Sequence, residues 1–171
     1  MLGLFATGRL DSIAQLPLTA LRAQGKTLLL ADLDNTLAAY GQAEPDEALL
    51  LWKAAVEAAG LRLFVLSNSR SKTRAPIFCA ALGAPFIAHA GKPNPKSYHL
   101  ALERMGATAA ETVMLGDQIF TDIWGANRAG IDSILFKPIR LAGNPGRYLR
   151  YAVELPFRWA TRKWESCDIV R

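Results

Sequence analysis

The sequence predicts a three-layer α/β fold in which a five-stranded parallel sheet carries helices on both faces. Two observations predict it. Short apolar runs alternate with helical stretches about every 25 residues, as expected of βαβ units around a parallel sheet. Polar residues follow several of these runs in the same phase, as they do where parallel strands end at one edge. A chain of 171 residues fits a single domain of this kind, spanning 1–171.

The first predicted strand, 28–31, is a run of four apolar residues closed by polar ones. Such a run indicates a strand buried on both faces, at the centre of the sheet. Asp32 and Asp34 follow it directly, and carboxylates at this position are costly to bury unless a metal or a cation compensates them. We interpret them as a site, although for DxDxT by itself the alternative of turn and capping residues stays open.

The remaining elements follow in chain order. Residues 1–25 are predicted to be a short helical or irregular lead-in. EPDE at 44–47 predicts a helix start, with proline near the first turn and acids where the helix dipole favours them. The pattern then predicts four helices, over 48–59, 71–82, 95–105 and 119–129, the second of them delayed or kinked by Pro76. It also predicts four further strands, over 61–66, 85–88, 113–115 and 131–136.

Residues suited to chemistry recur at the ends of the predicted strands. Ser67 closes the second strand, Lys92 follows the third, and Asp117 closes the fourth. Counting from Asp32, they are spaced 35, 25 and 25 residues apart, which is one βα unit each time. Because parallel strands end at the same edge, we expect these side chains to converge there.

This combination of residues predicts a phosphoryl-binding site. A phosphate monoester carries about −1.5 to −2 charges, so uncompensated acids would repel it. Asp32, Asp117 and a backbone carbonyl offer the oxygen ligands that suit Mg²⁺. Lys92 adds a second cation, the Ser67 hydroxyl donates to a phosphate oxygen, and the backbone N–H groups after Asp32 form an anion nest.

The two aspartates of the first motif suggest how such a site would react. Asp32, at the tip of the central strand, is placed to attack phosphorus and form an aspartyl-phosphate. Asp34 is placed to protonate the leaving alcohol and later to deprotonate the hydrolytic water. The pair therefore predicts an enzyme, a phosphatase.

Four ordered motifs carry a family resemblance: DLDNT at 32–36, Ser67 in LSNS, Lys92 in GKPNP, and GDQIFTD at 116–122. They resemble the motifs of the haloacid-dehalogenase (HAD) superfamily of phosphatases, over a core of residues 26–138. The resemblance implies a Rossmann-like HAD fold and Mg²⁺ as cofactor.

By this resemblance Asp32 is the nucleophile and Asp34 the acid/base. Asn68 is added as a phosphate-binding candidate, although it is also an ordinary turn residue. The implied binding residues are Ser67, Asn68 and Lys92 for substrate phosphate, and Asp32, the backbone carbonyl of Asp34 and Asp117 for the metal, with Asp122 supporting these ligands.

The motif sequences DLDNTL, SN, KP and GDQ-x-x-TD more narrowly resemble those of HAD subfamily IIIA proteins grouped with phosphatidylglycerophosphate phosphatases. Only 29 residues separate Leu37 from Ser67, and 24 separate Ser67 from Lys92, so a large cap domain is not expected. An open site of this kind implies a substrate that closes it from outside. A lipid headgroup at a membrane, a macromolecule or a neighbouring subunit could each do so. From the family resemblance and the basic aromatic tail we expect a lipid phosphate, with phosphatidylglycerophosphate as the substrate and phosphatidylglycerol as the product.

Two alternatives stay open. The same chemistry suits a soluble sugar phosphate, a nucleotide or a nucleic-acid end. A phospho-accepting or RNA-associated regulatory module would keep the fold without turnover, although Asp34 argues against it, because a stable phospho-acceptor has no use for a neighbouring hydrolytic acid.

Residues 139–171 form a predicted basic, aromatic C-terminal extension. Between 138 and 171, seven basic residues against three acidic ones give +4 of the chain's net +5. The segment is either a helix that packs its aromatic residues on the sheet or an interfacial segment for an anionic membrane. A basic aromatic tail also suits nucleic acid, although we expect no such partner. Its aromatic residues are Tyr148, Tyr151, Phe157, Trp159 and Trp164.

Sequence patterns also limit the cellular location that we expect for the protein. The first ten residues lack the basic start and small-residue cleavage pattern of a signal peptide, and no apolar run is long enough to span a bilayer. Two cysteines without a CxxC pattern predict neither a disulfide framework nor a zinc site. We expect a cytoplasmic protein, peripheral on the inner face of the membrane if the tail binds lipid.

Overall fold

The computed structural model describes residues 3–140 and 145–161. In this part of the chain six parallel strands form one sheet in the order β1-β6-β5-β2-β3-β4. The strands are β1 (Gly8–Leu10), β2 (Leu28–Ala31), β3 (Arg62–Leu66), β4 (Phe86–Ile87), β5 (Thr112–Gly116) and β6 (Asp132–Phe136). The helices are α1 (Leu18–Ala23), α2 (Glu47–Ala58), α3 (Arg74–Leu82), α4 (Lys96–Met105), α5 (Trp124–Arg128) and α6 (Pro145–Ala160), with a 3-10 turn at Ile13–Gln15 and a π-helical turn at Ile119–Ile123.

Strand β2 lies at the centre of the sheet, as its unbroken apolar run predicts. It pairs with β3 on one side and with β5 on the other. Leu29 packs into the apolar cluster on one face of the sheet, whereas Leu28 and Leu30 pack into the cluster on the other face. The α/β fold class predicted from the sequence is therefore confirmed, and the first motif emerges from a fully buried central strand.

The predicted number of five strands is wrong, because the lead-in contributes a sixth. Within residues 1–25, β1 pairs in parallel with β6 at the edge of the sheet, with Gly8 opposite Ile134. The backbone N–H of Thr7 extends this pairing by donating to the Ser133 carbonyl at 2.8 Å. A three-residue strand is too short to show a two-residue period, so only its pairing partner identifies it.

The helix starts follow local chemistry. Helix α2 begins after Asp46, whose carboxylate accepts from the Leu49 N–H at 2.8 Å. Helix α3 begins at Arg74 rather than at residue 71, which places Pro76 in the first turn, where it interrupts no helical hydrogen bond. The proline therefore delays this helix rather than kinking it.

The predicted helix over 119–129 is divided into the π-helical turn and α5. Tyr98, fully buried on α4, donates to the carbonyl oxygens of Thr121 and Asp122, 3.1 Å from each. Gly125 lies against the Tyr98 ring, where a Cβ would overlap its hydroxyl and carbon atoms. Helix α4 thus holds the segment that carries Asp122.

Helix α6 belongs to the predicted C-terminal extension, of which residues 162 onward, with Trp164, lie outside the described residues. Phe157 packs against Phe5 and Phe120, with ring centroids 6.1 and 6.0 Å away. Tyr148 and Trp159, in contrast, are exposed. The helix therefore packs on the core with only part of its aromatic set.

In the described ranges, no helix combines the length and the apolar character needed to cross a membrane.

We expect Gly125→Ala to destabilise the protein by more than Gly41→Ala does, by up to about 3 kcal/mol, because the added methyl overlaps the buried Tyr98 side chain. Urea unfolding measures the loss. Gly41→Ala is the control, since that glycine has a φ of 85° but a Cβ added there would meet no atom within 4 Å, so only backbone strain of about 1 kcal/mol is expected. Equal losses in the two variants would contradict the close packing of Tyr98 on Gly125.

Candidate active site

The structure brings the predicted strand-end residues together at the carboxyl edge of the sheet. Asp32 follows β2, Ser67 follows β3, Lys92 lies in the loop after β4, and Asp117 follows β5. All four side chains are buried. Their convergence follows from the parallel sheet, since neighbouring strands end side by side.

Lys92 is the charged centre of this site. Its Nζ lies 2.6 Å from Asp32 Oδ1 and 2.7 Å from Asp122 Oδ1, and it donates to the Leu66 carbonyl at 2.8 Å. The backbone of Lys92 is held by Asn68, whose side-chain oxygen accepts from the Lys92 N–H at 2.9 Å and whose amide donates to the Lys92 carbonyl at 3.0 Å. The contacts of Asn68 in the structure therefore position Lys92, while its role in phosphate binding stays a prediction.

Three buried carboxylates form an acidic cluster beside this lysine. Asp32, Asp117 and Asp122 each offer an oxygen, and these oxygens lie within 4.8 Å of one another. The cluster fits a divalent metal such as Mg²⁺, because its donors are all carboxylate oxygens and one ammonium group leaves it with excess negative charge. The family resemblance implies that Asp122 supports the metal ligands. In the structure its carboxylate is one of the three in the cluster, and its Oδ2 accepts from the Gln118 N–H at 3.0 Å.

The site shifts the pKa values of its central pair. Burial raises the pKa of Asp32 to about 7; Lys92 opposes the shift, and the carboxylates of Asp122 and Asp34 add to it. Burial also disfavours the charged form of Lys92, but Asp122 and Asp32 outweigh it and raise the pKa of the amine above its ordinary range. Lys92 therefore stays positively charged.

Asp34 lies at the same strand end but has a different partner. Its Oδ1 accepts from Arg74 Nε at 3.0 Å and Nη2 at 2.7 Å, and the same guanidinium donates to the carbonyls of Gln42 and Ala39. Arg74, at the start of α3, also lies 5.6 Å from the Phe78 ring centroid. The sequence analysis missed Arg74, since nothing in 70–74 distinguishes it from the neighbouring basic residues.

The smaller polar residues support the loops around the cluster. Ser67 Oγ accepts from the Ser69 N–H at 3.1 Å, and Thr36 Oγ1 donates to Asp117 Oδ1 at 3.4 Å. Asn35 has a positive φ of 72°, and its side-chain oxygen accepts from the Tyr40 N–H at 3.1 Å. These bonds shape the turn after β2, and the phosphate-binding role of Ser67 stays a prediction.

Two further residues missed by the sequence analysis reach the site from α6. Arg158 donates to the backbone carbonyl of Asp117, and Glu154 accepts from the N–H groups of Ile119 and Phe120. Their four-residue spacing is also that of an ordinary surface ion pair on a helix. No signal in the sequence therefore separated them from solvent-exposed charges.

A family model described as HAD-hydrolase-like matches residues 89–138, which include Lys92 and the motif at 116–122. The chain is 33% identical over 111 residues to "Probable phosphatase YqeG" of Bacillus subtilis (strain 168), covering 65% of this chain and 64% of that protein. It is 34% identical over 135 residues to "Phosphatidylglycerophosphate phosphatase 1, chloroplastic" of Chlamydomonas reinhardtii, covering 74% and 50%. The chain thus spans less than two thirds of the length of these curated relatives.

Solved structures share the fold. An uncharacterized protein from Listeria monocytogenes serotype 4b superimposes with a TM-score of 0.53 at 19% identity, over 70% of this chain and 85% of that one. A second, from Corynebacterium glutamicum ATCC 13032 Kitasato, gives a TM-score of 0.52 at 19% identity, over 81% and 98%. At this identity the likeness concerns the fold alone.

We expect Asp32→Asn to stabilise the metal-free protein at high pH. The pKa of Asp32 in the folded protein, about 7, lies above its ordinary value of 3.8, so the carboxyl costs stability as pH rises through this range. Removing its charge leaves Lys92 paired with Asp122. The expected gain is on the order of 1–4 kcal/mol near pH 8 and close to zero near pH 4, by urea unfolding with a chelator.

The control for this comparison is Asp11→Asn, which removes an exposed carboxylate and should change little at either pH. A loss of stability in Asp32→Asn near pH 8, or the same gain at both pH values, would contradict the raised pKa.

Proposed function

We propose that the chain is a phosphatase of the HAD-like hydrolase superfamily that depends on Mg²⁺ and acts on phosphomonoesters through an aspartyl-phosphate on Asp32. The observation that carries this proposal is the ion pair of Asp32 with Lys92 inside a buried cluster of three carboxylates. A lysine beside a carboxylate nucleophile supplies positive charge where a phosphoryl group would otherwise be repelled.

The proposed reaction has two balanced steps. In the first, an Asp32 carboxylate oxygen bonds to phosphorus while the bond to the leaving oxygen breaks, and Asp34 gives that oxygen a proton. In the second, water bonds to phosphorus, its proton passes to Asp34, and the bond to Asp32 breaks to release phosphate. Arg74 contacts Oδ1 of Asp34, so these proton transfers either use Oδ2 or require the ion pair with Arg74 to break.

The remaining residues bind and orient the substrate. Lys92, held by Asn68 and by the Leu66 carbonyl, would neutralise the phosphoryl oxygens, and Ser67 would donate a hydrogen bond to one of them. When bound, Mg²⁺ supplies further neutralisation of charge on the transferring group. The residues proposed to hold it are Asp32, Asp117 and the backbone carbonyl of Asp34, with Asp122 as an additional carboxylate.

For the substrate we propose phosphatidylglycerophosphate. The narrower motif wording and the name of the Chlamydomonas relative support it. Relatives named for soluble substrates support the alternative, a sugar phosphatase, but they match shorter stretches: "Glyceraldehyde 3-phosphate phosphatase" of Pyrococcus furiosus is 35% identical over 69 residues. The exposed surface of α6 favours the lipid.

Helix α6 combines buried charged residues with exposed apolar ones. Its charged residues Glu154 and Arg158 face the core, whereas Leu149, Val153 and Trp159 are 70%, 54% and 84% exposed. An exposed apolar face on the helix that also contacts the loop of Asp117 suits a bilayer, and Arg150 on the same helix, with the net charge of +4 over 138–171, suits an anionic one. We propose that this face docks the enzyme on the inner face of the membrane that contains its substrate.

Asp32→Asn should reduce phosphate release by at least about 10³-fold, because the carboxamide that replaces the Asp32 carboxylate is not a nucleophile toward phosphorus. Release is measured with Mg²⁺ on phosphatidylglycerophosphate in mixed micelles and on a panel of soluble esters. A strong preference for the lipid supports the substrate proposal, and a preference for a soluble ester overturns it. Undiminished turnover by Asp32→Asn would refute the nucleophile.

Leu149→Ser with Val153→Ser should weaken binding to anionic vesicles by about tenfold or more, since it removes buried apolar area at the proposed membrane surface. Co-sedimentation with vesicles measures it. Leu51→Ser on α2 is the matched control, because Leu51 is 65% exposed on a helix but lies outside α6. Turnover of a soluble ester should be unchanged in both proteins. Equal vesicle binding by the two variants would show that α6 does not dock.

A further inference from the structure

The buried face of α6 carries an ion pair that the proposed reaction does not use. Arg158 Nη2 lies 2.9 Å from Glu154 Oε2, and the side chains of Arg158 and Glu154 are only 8% and 1% exposed. Burying two charges costs several kcal/mol per ion unless further hydrogen bonds satisfy them. The other partners of this pair therefore indicate what it holds in place.

The Arg158 guanidinium connects two strand ends. It donates to the carbonyl of Phe136, the last residue of β6, at 3.3 Å, and to the carbonyl of Asp117, directly after β5. The Tyr151 ring centroid lies 4.4 Å from its Cζ, which adds a cation–π contact from the same helix. Arg158 thus binds the backbone of a residue whose side chain belongs to the acidic cluster.

Glu154 holds the other end of the same loop. Its Oε1 accepts from the N–H groups of Ile119 at 2.9 Å and Phe120 at 3.2 Å, at the start of the π-helical turn. N–H groups in a first helical turn have no partner within their own helix, so this carboxylate satisfies them. The turn that begins there carries Asp122.

We infer that Glu154 and Arg158 are positioning residues that hold loop 117–122 in the geometry needed for metal binding. Their contacts are to the backbone on both sides of Gln118, between the two cluster carboxylates that this loop provides. Helix α6 then contributes to the metal site through the backbone contacts of these two side chains. This inference rests on the proposed metal site, but not on the proposed substrate.

The test is metal affinity, measured without substrate on the full chain. Mn²⁺ binding is followed by electron paramagnetic resonance, with Mg²⁺ as the competitor, in Arg158→Lys and Glu154→Gln. Lysine keeps the charge but not the two-pronged geometry, and glutamine keeps the shape but not the charge. Each change should weaken metal binding by about 10–100-fold, as is typical when the groups that orient metal ligands are altered.

The matched control is Glu57→Gln in the pair Lys53–Glu57, which has the same four-residue spacing on α2 and an N–O distance of 2.8 Å. It should leave metal affinity unchanged. Urea unfolding and near-UV circular dichroism establish that each variant is folded. Unchanged affinity in folded Arg158→Lys and Glu154→Gln would overturn the inference and leave the pair with the role of attaching α6 to the core.

A second measurement uses the unaltered chain, so it does not depend on whether the variants fold. Metal binding should slow amide hydrogen exchange in 117–122 and in 150–158 together, because the two segments share the Glu154 and Arg158 contacts. Slowing confined to 117–122 would overturn the inference. Metal binding without release of phosphate from any ester would overturn the proposed function and leave this inference standing.

Discussion

The structure depends on one electrostatic constraint, the burial of three carboxylates against a single ammonium group. Asp32, Asp117 and Asp122 approach within 4.8 Å of one another, and Lys92 forms ion pairs with two of them. Such a cluster is unfavourable unless the surrounding backbone holds it or a cation neutralises it. Burial and the neighbouring acids raise the pKa of Asp32, so its charged form costs stability in the metal-free protein, a cost that the proposed metal and phosphoryl group would offset.

The contacts around the cluster are arranged to meet this constraint. Asn68 binds both backbone groups of Lys92, Tyr98 binds the carbonyls before and at Asp122, and Arg158 binds the carbonyl of Asp117. Each contact comes from a different element and acts on the backbone next to a charged residue. The acids are therefore held by the packing of neighbouring helices and loops rather than by one another.

Helix α6 connects the site to the surface. Glu154 and Arg158 face inward and hold the loop of Asp117, while Leu149, Val153 and Trp159 face outward. In an ordinary surface helix the apolar side chains face the core. The reversal is consistent with both proposals for this helix, since one element would hold the metal loop and present an apolar face to a lipid surface.

The sequence by itself determined the α/β class, the central strand and the convergence of four side chains, those of Asp32, Ser67, Lys92 and Asp117. An apolar run and a repeated βα spacing are local patterns, and in a parallel sheet they place the strand ends at the same edge. The tertiary structure alone decided the edge strand β1 and the contacts of Arg74, Glu154 and Arg158. A three-residue strand has no readable period, and an arginine or a helical Glu–Arg pair looks the same in sequence whether it faces water or a buried backbone carbonyl. What distinguishes these residues is the element packed against them, and that partner lies far away in the chain.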